Sequence, residues 1–82
     1  MKAVNTLQRF SKGEAESKLG QRVRAAVDLT DIPKGAAGRV MEMDEIEPNG
    51  FDLIIEGDLR MNGKIKHDWF AKEEYERSIA EA

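Results

Sequence analysis

Residues 38–70 read GRVMEMDEIEPNGFDLIIEGDLRMNGKIKHDWF, and this run decides the fold. It holds extended segments at Gly38–Met43, Phe51–Glu56 and Lys64–Phe70, with Asn49-Gly50 and Asn62-Gly63 in the gaps between them. Asn-Gly is a strong hairpin signal, because both residues tolerate the positive φ that a two-residue turn between twisted strands requires. Phe51, Leu53 and Ile55 alternate, which places them on one face of a strand. The expectation is an antiparallel meander. Parity then raises a difficulty: a strict Asn49-Gly50 turn sets Met43 opposite Glu56 and Asp44 opposite Ile55. Met41 and Met43 would face away from Phe51, Leu53 and Ile55. A bulge or a longer loop across Asp44–Pro48 shifts the parity by one and restores a common core, so an irregularity is expected there. A strict Asn62-Gly63 turn sets Phe70 opposite Ile55 and Trp69 opposite Glu56. Phe70 is then core, and Trp69 lies on the outer face, with the C-terminal helix as its expected cover through Tyr75.

Upstream, Val23–Val27 reads as a first strand, followed by an irregular loop, Asp28–Gly35, closed by a Pro33-Lys34-Gly35 turn. Downstream, Ala71, Tyr75 and Ile79 recur every four residues, the narrow apolar stripe of a helix over Lys72–Ile79. Glu73 and Glu74 suit its first turn, where the helix dipole favours anions. Residues 1–19 are different. Val4, Leu7 and Phe10 are spaced by three, but Ser11-Lys12-Gly13 interrupts the pattern, so 1–19 is expected as a flexible or loosely docked extension and 20–82 as the folded domain. The fold class is mainly β: about five strands, with a C-terminal helix and an N-terminal extension.

Gly20-x-x-Val23 followed by Pro33-Lys34-Gly35-Ala36-Ala37-Gly38-Arg39-Val40 resembles the opening of small SH3-like barrels, including the KOW type, where a Gly-x-x-Gly-x-Val turn leads into the second strand. The ending Asp68-Trp69-Phe70-Ala71-Lys72-Glu73-Glu74-Tyr75 is similar to SH3-like chains whose last long strand runs into a short helical turn. Small accessory subunits such as the variable chain of ferredoxin-thioredoxin reductase end in this way. The resemblance spans about residues 20–80 and implies a small barrel rather than one function, since this fold serves unrelated tasks. The chain departs from two relatives of the barrel. It has only Phe10, Phe51, Trp69, Phe70 and Tyr75 as aromatics, too few to build both a core and a polyproline groove, and it lacks the strong basicity of ribosomal KOW proteins.

The 82 residues carry a net charge of −3, with 40% hydrophobic and 35% charged residues, which fits one small folded domain. The absence of cysteine excludes disulfides, thiolate metal sites and cysteine nucleophiles. No apolar run is long enough to span a bilayer, no secretory leader is evident, and a cytoplasmic, monomeric protein is expected. Charge is divided unevenly: residues 1–40 hold eight basic and four acidic side chains, residues 41–82 five and twelve. Such a two-signed surface can orient a domain on a charged partner.

No catalytic, metal or cofactor site is expected. His67 is the only histidine, and neighbours on a strand face opposite ways, so adjacency to Asp68 makes no dyad. Asp44, Glu45 and Glu47 lack the spacing of a calcium loop. Lys34–Arg39 lacks the Lys-Ser/Thr and following helix of a phosphate loop. The leading expectation is therefore a non-catalytic adaptor or accessory domain that binds another protein. Its candidate contacts are Trp69, Phe10, Leu7, Ile32 and Lys34. The alternative is a KOW-like RNA- or DNA-binding module using Arg22, Arg24, Lys34 and Arg39 as a local basic face.

Overall fold

A computed structural model of the chain describes residues 8–29, 32–61 and 64–82, and of 58–61 and 64–66 the backbone alone. In chain order the elements are α1 (Lys12–Lys18), β1 (Arg22–Ala25), β2 (Ala37–Glu47), β3 (Gly50–Met61), β4 (Lys64–Phe70), α2 (Lys72–Ser78) and β5 (Ile79–Glu81). The strands form one antiparallel sheet in the order β4-β3-β2-β1-β5. It is an open sheet with β4 and β5 as its edges, so the fold is mainly β, without barrel closure among the described residues. No described helix is long and apolar enough to cross a membrane.

The β2–β3 hairpin carries the expected irregularity and adds a second one. Register shifts occur between Glu45 and Glu47, within the expected stretch, and between Val40 and Glu42. The second shift does most for the core. Val40 pairs with Ile55 and Met43 with Leu53, so residues three apart share the inner face only because Met41 is looped out between them. Both bulged residues, Met41 and Ile46, are exposed. The turn itself is Pro48-Asn49, with Glu47 paired to Gly50 and Asn49 at φ 63°. This corrects the Asn49-Gly50 assignment. Proline presets the first corner position and asparagine tolerates the left-handed second, which leaves Gly50 as the first residue of β3.

Between β3 and β4 the register also departs from a strict turn. Arg60 pairs with Ile65 and Met61 with Lys64, as a tight Asn62-Gly63 connection requires, though those two residues lie outside the described ones. A shift between Glu56 and Arg60 then leaves Phe70 opposite Leu53 and Trp69 opposite Ile54. The displacement from the expected pairing is two residues, so side-chain parity is unchanged: Phe70 is buried and Trp69 points outward.

The C-terminal helix is shorter than its stripe suggested. Ile79 leaves the helix and starts β5, where Ile79, Ala80 and Glu81 pair with Ala25, Arg24 and Val23. The Ala26 N–H donates to the Ser78 carbonyl at 2.7 Å and the Ala82 N–H to that of Arg22 at 2.9 Å. Ladder bonds to β1 thus replace the bonds another helical turn would have made.

Residues 8–19, expected as part of a loose extension, are built into the fold. Ser11 is an N-cap: its Oγ accepts from the Glu14 N–H at 3.2 Å, while its own N–H donates to Glu14 Oε1 at 2.9 Å. The Ser11-Lys12-Gly13 interruption is therefore a helix start. Phe10 exchanges both backbone hydrogen bonds with Phe51, at 3.0 and 2.8 Å. Its ring is 2% exposed and meets Tyr75 edge-on, with centroids 5.6 Å apart. Phe10 and Ala15 join Val23, Val40, Leu53, Ile55, Phe70 and Tyr75 in one core.

Polar contacts fix this N-terminal segment to the C-terminal one. Lys72 Nζ lies 3.0 Å from Glu14 Oε2, and Lys18 pairs with Glu81, which also accepts from the Tyr75 hydroxyl at 2.9 Å. Burial and the neighbouring Glu81 raise the Tyr75 phenol well above its ordinary range, and Lys18 followed by Tyr75 lowers the Glu81 carboxyl.

Candidate functional site

The outer face of the sheet gathers four of the eight candidate contact residues: Trp69, Arg22, Arg24 and Arg39. Alternation buries Val23, Ala25 and Val40, so Arg22, Arg24 and Arg39 between them are exposed on the other side. Register brings two of these together: Arg22 pairs directly with Arg39, and Arg24 follows two positions along β1. Arg39 is in turn opposite Glu56, and Glu56 opposite His67, whose Nε2 lies 4.0 Å from Glu56 Oε2. Asp68 belongs to the inner side, so His67 and Asp68 diverge as strand neighbours must.

Further along the same face the charge reverses. Beyond Arg39, β2 carries Glu42, Asp44 and Glu47 on this face, all exposed, whereas Glu45 pairs with Phe51 on the inner side. Glu42 pairs with Ile54, and Ile54 with Trp69 on β4. The Trp69 side chain reaches across β3: its indole N–H donates to Asp44 Oδ2 on β2 at 3.2 Å. The ring is held at its N–H edge and Trp69 is nonetheless 54% exposed, so much of the indole surface is open to solvent. The expected cover by α2 is absent, because Tyr75 turns inward against Phe10. Asp52, opposite Asp44, is nearly buried and paired with Arg9 at 2.7 Å, so its charge is offset locally. Glu42 and Asp44 remain as the acidic flank of the indole.

The other sequence candidates lie elsewhere. Ile32 is half-buried, forms an isolated bridge with Leu29, and lines a narrow apolar cleft of about 40 Å³ on the inner side, with Phe70, Ile79 and Val23 among its walls. Lys34 is exposed on the turn that closes this loop, where its N–H donates to Asp28 Oδ1 at 2.8 Å. Phe10 is a core residue, and Leu7 lies outside the described residues. Trp69, Ile32 and Phe10 therefore do not form one surface.

The indole platform with its acidic flank was missed as a unit. Trp69, Glu42 and Asp44 are far apart in sequence, and only the two-residue register shift in β3 brings Ile54 rather than Glu56 beside the tryptophan. Among the described residues, no group of three or more His, Asp or Glu side chains converges as a metal site would need. Compared with protein families, curated proteins and solved structures, the chain matches none.

Proposed function

We propose that this is a non-catalytic protein-binding domain, an adaptor or accessory subunit, whose contact surface is the outer face around Trp69. The carrying observation is the indole itself, half exposed on a sheet and held in place by Asp44. An aromatic ring with large apolar area and little freedom left to lose is the kind of anchor that dominates protein interfaces. The domain is proposed to be an SH3-like barrel, a reading supported by the last strand returning to pair with the first after a helical turn that follows the fourth. It acts as a cytoplasmic monomer in this proposal, with the accessory-subunit role that the resemblance to the reductase variable chain implies.

Immobilised wild-type protein is expected to retain partner proteins that a Trp69→Ala variant, checked for native circular dichroism, does not. Equal retention by the two proteins removes the proposal. A second reading is favoured by the direct Arg22–Arg39 pairing, with Arg24 beside it: nucleic-acid binding through a local basic face that includes Lys34. Oligonucleotide binding that weakens steeply with salt, and is lost on charge reversal at these four positions, would support it. The same positions left indifferent would dismiss it.

A further inference from the structure

We infer that the Trp69 face recognises a cationic segment of a partner protein, with an arginine or lysine side chain of that partner laid on the open side of the indole. This inference rests on the protein-binding reading and specifies its chemistry.

Three observations on one face lead to it. The outward side of an exposed indole presents the negative lobe of the ring quadrupole, which attracts a guanidinium or ammonium within about 6 Å of the ring centre. The indole N–H is already engaged by Asp44, so the ring edge is occupied and its face is what remains for a ligand. Glu42 and Asp44 flank the ring on β2, while the nearby Asp52 is neutralised by Arg9. An acidic partner would meet carboxylates at the ring and is repelled. A cation meets a π face and carboxylates together, and its methylene stem covers the neighbouring Ile54, which register sets beside Trp69. The same sheet turns basic at Arg22, Arg24 and Arg39, so a cationic segment has one preferred end of the sheet on which to lie.

Trp69 is the single tryptophan, so its fluorescence reports the site directly. The full chain is titrated at low salt with hexa-arginine, hexa-glutamate and an uncharged Gly-Ser peptide of equal length. Hexa-arginine is expected to produce a saturable change in emission that the other two do not. Asp44→Asn keeps an acceptor for the indole N–H and removes its charge. Combined with Glu42→Gln, it should weaken hexa-arginine binding by about tenfold, because the flanking charges act together with the ring. Native circular dichroism of the variant separates this effect from unfolding. Binding of hexa-glutamate with equal or greater affinity overturns the inference, as does hexa-arginine binding unchanged in the double variant. No response to any peptide, with partner retention still lost in Trp69→Ala, overturns the cationic inference while leaving the protein-binding reading in place. Retention indifferent to Trp69→Ala removes both.

Discussion

Replacing Phe10 by alanine is expected to destabilise the domain by about 3–5 kcal/mol, the range for truncating a buried phenylalanine. A chain of this size has a total stability of about 4–12 kcal/mol at the usual value per residue, so the variant sits close to its unfolding threshold. The side chain is almost wholly buried and belongs to the core cluster with Ala15, Leu53 and Tyr75, so truncation leaves a cavity among packed side chains. Its edge-on contact with Tyr75 adds to the loss. Urea unfolding followed by far-ultraviolet circular dichroism measures the effect. Phe10→Leu, which keeps most of the volume, should recover more than half of the difference. A loosely docked tail predicts a different result, a change under about 0.5 kcal/mol for either substitution, as for an ordinary surface position. A small effect of Phe10→Ala would mean that residues 8–19 do not pack as described.

The contrast over Phe10 shows where sequence reading succeeds and where it stops. Strand identity in the meander was legible because alternation at Phe51, Leu53 and Ile55 and the Asn-Gly signals are local. The bulge near the hairpin was legible too, since parity alone required it. The bulge at Met41 was not, because a run of Val40-Met41-Glu42-Met43 alternates acceptably without one; only the demand that Val40 and Met43 both meet the facing strand forces it. β5 was hidden for a related reason. Ile79 fits the helical stripe of Ala71 and Tyr75, and its partner Ala25 lies far away in the chain, so nothing local reveals the ladder. Ser11 was misread because a capping serine and a loop serine look alike until Glu14, three residues on, is weighed as its reciprocal partner.

For the candidate site, the residues were more legible than their grouping. Trp69 was placed on the outer face by parity, and that survives a register error of two because the side-chain period is also two. Its neighbours change with the same error, from Glu56 to Ile54, and with them the chemistry of the surface. The uneven division of charge along the chain acquires a spatial meaning on the outer side of β2, which carries Arg39 near its start and Glu42, Asp44 and Glu47 beyond it. That strand crosses the sheet once, so the reversal of sign in sequence becomes a reversal of sign along one face.

Gly38→Val is expected to cost about 3 kcal/mol, at the upper end for forcing extra atoms into a packed interior. Gly35 and Gly38 both belong to the Gly-x-x-Gly-x-Val turn of the resemblance, yet the structure gives them different roles. Gly35 has φ +91° and open space around it, so its requirement is conformational. It sits two places into the Pro33–Ala36 turn, which closes with a hydrogen bond of 3.0 Å. Gly38 has ordinary strand geometry, but a Cβ there would lie 2.8 Å from the Glu56 carbonyl oxygen and 3.3 Å from the Gly57 Cα. Both obstacles are backbone of the adjacent strand, so relief requires β2 and β3 to separate where Arg39 pairs with Glu56 and Val40 with Ile55. Asparagine distinguishes the two cases, because it tolerates the left-handed region but still carries a Cβ. Gly35→Asn should lose less than about 1 kcal/mol, whereas Gly38→Asn should be at least as damaging as Gly38→Ala. Thermal unfolding of the variants measures both. Similar losses at the two positions would show that the close approach of β2 to β3 at Gly38 is not what demands glycine there.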